Sequence, residues 1–252
     1  MAMIFNGREL AKKKEEELKR DGGLVGKSLL VLQTGEKENV FVRLKRQMGE
    51  RLGVKMGVVV CGDKEELKKK LVEMRDDYDG VMVQLPVAGA NEKEKEEILN
   101  LIPENKDVDG LIEEKSGVTP AVVRAMMRIL EEGLKETGKR KEEVRVAVVG
   151  SRGFVGSSLV RNLKSQDFKV EGFDEGDDLS GLVNFEVVMT AVGKKGLIGK
   201  DTLVDGVIVI DAGYPEADIE RGVEEKASLI TPVPGGVGPV TVVSLFENLL
   251  RL

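Results

Sequence analysis

Lys45 in "FVRLK", Gln84 in "VMVQLP" and Asp109 in "NKDVDG" are the side chains whose types and surroundings best suit chemistry. The chemistry open to them is bounded by what the chain lacks. None of its 252 residues is a histidine and only one, Cys61, is a cysteine. Ser-His-Asp and Cys-His catalysis and His-ligated zinc are therefore excluded. Acid–base work must fall to Lys, Asp, Glu or one of two tyrosines. Phe41 and Lys45 stand four apart, which makes them neighbours on one helix face. Gln84 closes an apolar run stopped by Pro86, at the carboxyl end of a strand, where ligands gather in open α/β sheets. Asp109 precedes Gly110 in a loop between elements. Each residue alone also has a plain structural reading: a solvated lysine, a strand-capping amide, an Asp-Gly turn. Cys61, in "VVVCGD", reads as a buried strand-end residue.

The elements that must position these residues follow a strand–helix rhythm. "SLLVLQTG" (28–35), "KMGVVVCG" and "DGVMVQLP" are continuous apolar strands. The helices between them are "VFVRLKRQMGERLG" (40–53), "DKEELKKKLVEMRDD" with Asp63 as its cap, and "NEKEKEEILNLI". Strands apolar on both faces and alternating with helices predict a parallel sheet covered on both sides. After "GLIEEKSGVTP" comes a long helix, expected to be capped by Thr119 with Pro120 at its first position. A second series then runs through "VRVAVVG", "FKVEGFD", "FEVVMTAVG" and "GVIVIDAG". The expected fold class is α/β in two α/β domains, with the change near residue 118.

Composition narrows the setting. The chain is 41% hydrophobic and 33% charged, with a net charge of −6, which disfavours nucleic acid as the main partner. The runs "KKKEEELKR" and "DKEELKKKLVEMRDD" alternate sign as solvated helix faces do. No apolar run approaches the roughly 18 residues of a membrane span, and the opening residues lack a signal-peptide order, so a cytoplasmic protein is expected.

"VRVAVVGSRGFVGSSLVRNL" is a strand, a glycine turn and a helix. Gly150, Gly153 and Gly156 are spaced so that backbone N–H groups can approach a pyrophosphate at the positive end of the following helix. Asp174 ends the next strand about 20 residues later, where an acid takes the adenosine ribose hydroxyls. The acidic stretch Asp174, Glu175, Asp177 and Asp178 disfavours a 2′-phosphate and leans toward NAD, while Arg152 in the turn pulls toward NADP. The same stretch also reads as a solvated loop.

Taken together these pieces resemble one family. "VFVRLKRQMGERLGV", "DGVMVQLP", "PENKDVDG" and "ITPVPGGVGPVT" stand in the order and spacing of the bifunctional methylenetetrahydrofolate dehydrogenase/cyclohydrolases, and "FNGRELAKKKEEELK" and "AVGKKGLI" also resemble that pattern. The resemblance implies a folate-binding catalytic domain over residues 1–118, completed by the closing helix 238–252, and an NAD(P)-binding Rossmann domain over 119–237. It implies hydride transfer from 5,10-methylenetetrahydrofolate to NADP or NAD, then hydrolysis of the methenyl product to 10-formyltetrahydrofolate. It also implies a homodimer, folate in a cleft between the domains, and no metal.

By motif match, Lys45 handles protons in the hydrolysis, Gln84 orients it, and Asp109 grips the pterin N–H groups. Phe41, Gly235, Gly236 and Pro239 would contact substrate. Gly150, Ser151, Arg152, Gly153, Val155, Gly156, Asp174, Ala191, Val192, Gly193, Gly213, Gly236 and Thr241 would contact the cofactor. Gly238 would cap the closing helix and Pro239 would begin it. The match departs at four places. Phe41 replaces a tyrosine, which bears on cyclohydrolase efficiency, and "GSRGFVGSS" carries a displaced arginine and Ser158 for a proline. The stretch between "KDVDG" and "TP" is short, and "EADI" is at best a reduced form of the family's "G-D-V". Two other readings fit parts of the chain: a non-catalytic paralogue binding folate or nucleotide, and an oxidoreductase of the shikimate dehydrogenase kind.

Overall fold

The computed structural model describes residues 2–252. The chain divides into two compact units, one of residues 12–121 and 242–252, the other of residues 1–11 and 122–241.

The first unit is built on a three-stranded parallel sheet in the order β3–β2–β4, from β2 (Ser28–Thr34), β3 (Lys55–Cys61) and β4 (Gly80–Val83). Leu29, Leu30, Val31 and Leu32 of the central strand are fully buried, which explains its unbroken apolar run. Helices α2 (Val40–Arg51), α3 (Lys64–Met74) and α4 (Glu92–Leu99) connect and follow the strands, and the short α5 (Glu113–Ser116) precedes the crossing. The starts of α2, α3 and α4 are chemically marked. Asn39 accepts from the N–H of Val42, Asp63 from that of Glu66, and Asn91 forms a reciprocal capping box with Glu94. Leu67, Leu71, Ile98 and Leu99 pack with Leu30, Leu32, Val81 and Cys61 in one core.

The second unit is a six-stranded parallel sheet in the order β1–β9–β8–β7–β5–β6. Its strands are β1 (Met3–Ile4), β5 (Arg145–Val149), β6 (Lys169–Phe173), β7 (Val187–Thr190), β8 (Val207–Asp211) and β9 (Ala227–Ile230). Helix α6 (Ala121–Thr137) leads in and α7 (Phe154–Ser165) links β5 to β6. The strand order reverses at β5, whose neighbours are β6 and β7. An open α/β sheet binds ligands at such a switch point, outside the carboxyl ends of the strands.

Helices α1 (Gly7–Asp21) and α8 (Val237–Arg251) each straddle the division between the units. The end of α8 belongs to the first unit. Phe246 is fully buried, Lys27 Nζ donates to the carbonyl of Leu249, and the Asn248 amide donates to the carbonyls of Val108 and Thr119.

Several local expectations shift. The start of the chain lies in the second sheet, because Met3 and Ile4 pair with Leu229 and Ile230 and the N–H of Phe5 donates to Ile230. Helix α6 begins at Ala121, one residue after Pro120. Helix α8 begins at Val237, so Gly238 and Pro239 lie inside its first turn. A proline is tolerated there because first-turn N–H groups have no intrahelical acceptor. No helix among the described residues is long and apolar enough to cross a membrane.

Candidate active site

Lys45 and Gln84 lie 39 positions apart and meet at the carboxyl edge of the first sheet. Lys45 Nζ donates to Gln84 Oε1 at 2.8 Å. The amide orientation is set twice: a lysine can only donate, and Gln84 Nε2 donates to the carbonyl of Leu85 at 2.9 Å. The Leu85–Pro86 peptide is cis. Gln84 stands one residue beyond β4, and its own N–H still reaches the carbonyl of Leu32, which ties it to the central strand. Lys45 is 5% exposed on the inner face of α2, with Val42 and Met48 beside it, and Phe41 is half-buried one turn earlier.

Burial pushes the Lys45 ammonium below the usual lysine range, and the charge of Asp109 opposes that shift. The Asp109 carboxyl is raised to about 6, first by burial, against the attraction of Lys45. Asp109 keeps a partial opening to solvent, yet enough protein surrounds it to desolvate its charge. The site therefore holds a lysine that gives up its proton more easily than usual, an amide that orients it, and a carboxylate that ionises near neutrality.

The two acids of "KDVDG" have different duties. Asp107 is fully buried and accepts from the N–H groups of Leu111 and Ile112 and from the Ser116 hydroxyl, each at 2.9 Å. It bridges to Val81 of β4, so the loop runs along the strand that leads to Gln84. Asp109 follows two residues later, and its carbonyl receives the N–H of Ala121. Sequence reasoning singled out Asp109 and missed Asp107. The signal was available in part: an acid four residues before Leu111 and nine before Ser116 is placed to close a turn.

In the second unit the glycine turn joins β5 to α7 at the switch point. Gly150 has a φ of +84°, and a Cβ on Gly156 would sit 2.0 Å from the Gly150 carbonyl oxygen. Gly153 is the N-cap of α7 and supplies no side-chain acceptor, so the first-turn N–H groups of Phe154, Val155 and Gly156 remain directed at whatever lies before the helix. That cradle fits a pyrophosphate. Gly156→Ala is expected to lower stability by about 1–3 kcal/mol, because backbone would have to move. Melting should fall by about 2–10 °C, with weaker dinucleotide binding; thermal denaturation and calorimetry check this.

Asp174 holds the same turn together. Its Oδ2 accepts from the Ser151 hydroxyl at 2.5 Å and its Oδ1 from the N–H of Arg152 at 3.0 Å. The exposed Arg152 guanidinium lies 3.5 Å from Asp174 and is drawn to that carboxylate. Ala191, Val192 and Gly193 follow β7, and Gly213 follows β8, at neighbouring strand ends. Gly235 and the buried Gly236 stand before α8, inside which Thr241 donates to the carbonyl of Val237. A side chain on Gly7 would strike the Gly236 carbonyl, so the start of α1 is packed on this loop. "EADI" keeps a buried acid, Asp218, despite its shortened surroundings.

A polar cluster at the edge of one parallel sheet and a glycine turn at the switch point of another are the marks of an α/β nucleotide-binding protein. The chain belongs to the tetrahydrofolate dehydrogenase/cyclohydrolase family. That family's catalytic domain matches residues 5–109 and its NAD(P)-binding domain residues 120–252. Bifunctional protein FolD of Mycoplasmopsis synoviae is 34% identical over an alignment of 179 residues that covers 62% of this chain and 63% of the relative's length. Bifunctional protein FolD of Lactobacillus gasseri is 32% identical over 268 residues, covering 97% of this chain and 92% of the relative. Among solved structures, the Trypanosoma brucei N5,N10-methylenetetrahydrofolate dehydrogenase-cyclohydrolase, complexed with NADP cofactor and inhibitor, is similar with a TM-score of 0.86. It is 26% identical and covers 99% of this chain and 96% of its own.

Proposed function

We propose that this chain oxidises 5,10-methylenetetrahydrofolate to the 5,10-methenyl form by hydride transfer to a nicotinamide dinucleotide. It then hydrolyses the methenyl form to 10-formyltetrahydrofolate. The observation that carries this reading is the hydrogen bond from the buried Lys45 to Gln84, with the charge of Asp109 acting on the same ammonium.

Lys45 takes and returns a proton at Nζ during the addition of water. A cationic methenyl ligand beside it would press its pKa further down, in the same direction as burial. Gln84 keeps Nζ aimed by accepting through Oε1. Asp109 accepts hydrogen bonds from the donor-rich edge of the pterin, and a charged acceptor out of water makes such bonds strong. Phe41, one turn from Lys45, offers an apolar face to the folate ring.

A bound nicotinamide supplies the hydride acceptor. The chain's part in that step is alignment and exclusion of water, which suits a protein without histidine. Gly150, Ser151, Gly153, Val155 and Gly156 would hold the pyrophosphate, and Asp174 the adenosine ribose. Ala191, Val192, Gly193, Gly213, Gly236 and Thr241 would complete the cofactor side. We infer a preference for NAD, because an acid at the end of β6 suits ribose hydroxyls and would repel a 2′-phosphate, and the nearby Arg152 is drawn to that acid. A homodimer is part of the same proposal and rests on the family.

The test is to incubate the protein with methylenetetrahydrofolate and either dinucleotide while following methenyl absorbance, then to follow its decay. Turnover is expected with both, at least about tenfold more efficient with NAD+, the scale of one like-charge contact. Absence of signal with either cofactor at high enzyme would remove the dehydrogenase reading.

A further inference from the structure

The carboxyl ends of β7, β8 and β9 are tied together by two buried acids for which the proposed chemistry has no use. Asp218 is fully buried although it lies in a loop. Its Oδ2 accepts from the Thr190 hydroxyl at 2.7 Å and from the N–H of Val192 at 2.8 Å, and its Oδ1 accepts from the N–H of Lys194 at 2.7 Å. Asp211, at the end of β8 and 1% exposed, accepts from the N–H groups of Gly213 at 2.7 Å and Ile219 at 3.2 Å. Its own N–H donates to the Thr231 hydroxyl at 2.7 Å, at the entry to "TPVPGGVGP".

The network is closely fitted. Thr190 and Asp211 are register partners in the sheet, and the N–H of Ala212 donates to the Thr190 carbonyl. A Cβ on Gly213 would lie 2.8 Å from Asp218 Oδ1 and 2.9 Å from Asp211 Oδ1. Residue 213 therefore has to be glycine, because two carboxylates flank it on the inside. A buried carboxylate is costly unless its oxygens are met, and here three donors meet Asp218. Two of those donors are backbone N–H groups of an exposed segment. Val192 is 42% exposed, and residues 193–195 are exposed as well. The bonds to residues 192 and 194 therefore order a surface loop rather than a core.

We propose that Asp218 is a positioning residue for the nicotinamide dinucleotide. It holds residues 191–194 in the one conformation that receives the cofactor, while Asp211 holds the loop that carries Asp218. Thr190 aligns the Asp218 carboxylate through its hydroxyl. The proposal rests on the dinucleotide use argued above. It accounts for the retention of an acid in "EADI": the carboxylate anchors the neighbouring loop from within.

The experiment titrates full-length wild type, Asp218→Asn and Thr190→Val with NAD+, NADP+ and tetrahydrofolate by calorimetry, beside steady-state kinetics. An asparagine sets its NH2 group against one of the backbone donors, which frees part of the loop. A loop that must be reordered on binding weakens affinity by the fraction of time it is correctly formed. Asp218→Asn is expected to raise the dinucleotide Kd and KM about tenfold, and Thr190→Val about threefold, the scale of one lost hydrogen bond. The tetrahydrofolate Kd should stay within about twofold and kcat at saturating dinucleotide within about threefold, since neither depends on the free loop. If Asp218→Asn does not fold, Thr190→Val decides alone. Folded variants that bind dinucleotide as wild type does would overturn the proposal, as would parallel losses of dinucleotide and tetrahydrofolate affinity. A wild type that binds neither dinucleotide would instead sink the functional reading.

Discussion

Lys45→Met is expected to lower the hydrolysis of methenyltetrahydrofolate by about 10²- to 10⁴-fold, the usual range for a positioned acid–base group. Hydride transfer should fall by no more than about tenfold, because that step needs alignment rather than a proton carrier. Nζ is held in a 5% exposed side chain with Gln84 Oε1 at 2.8 Å, and desolvation disfavours its charged form. Methionine has nearly the same length and no charge, so it fills the space without a proton to give. Separate assays of methenyl decay and of methenyl formation measure the two effects. Hydrolysis retained at the wild-type rate would remove Lys45 from the mechanism.

Asp109→Asn is expected to weaken folate binding by about 10- to 150-fold, the loss of a hydrogen bond to a charged group. The wild-type folate KM should rise on acidification below about pH 6, where the Asp109 carboxyl takes up its proton, and approach tenfold per pH unit. The asparagine variant should show no such rise. Stability should move the opposite way. Burial raises this carboxyl from 3.8 in the unfolded chain to about 6 in the folded one. A group raised in this way contributes stability that is complete below about pH 4 and is lost as the pH climbs through 6. Above that, the charged form costs the fold up to about 3 kcal/mol at 1.36 kcal/mol per pKa unit. Asparagine resembles the protonated acid, so the variant should gain on wild type between about pH 4 and 6 and hold that gain at neutrality. Denaturant unfolding at pH 3.5 and 7.5 checks the sign. A variant that loses stability relative to wild type on going from pH 3.5 to 7.5 would contradict the burial argument.

These two residues bear on what is legible in a sequence. Phe41 and Lys45 are four apart on a helix whose cap, Asn39, sits beside them, so their shared face is a local property. The glycine turn is equally local: three glycines between an apolar strand and a helix restrict what backbone can form there. Element types along the chain follow from period and punctuation, and the strands of both sheets emerge nearly where the apolar runs place them. Boundaries move by a residue or two at Pro120 and at Gly238, because a proline in a first turn is compatible with more than one starting point.

The amino-acid sequence by itself determined the order of strands and helices, the absence of histidine that leaves acid–base work to Lys, Asp, Glu or Tyr, and the family to which the motifs point. Those are properties of neighbours along the chain, or of composition. Only the tertiary structure decided that Gln84 Oε1 faces Lys45, that Asp107 closes a turn while Asp109 ionises near neutrality, and that Asp218 reaches back to residues 190–194. It also decided that a two-residue strand at Met3 pairs with Leu229. The reason is physical: apart from the short turn at Asp107, such pairings join positions tens to hundreds of residues apart, and two residues are too few to show a period. A buried acid reads like any loop acid until the donors that surround it are brought together by the fold.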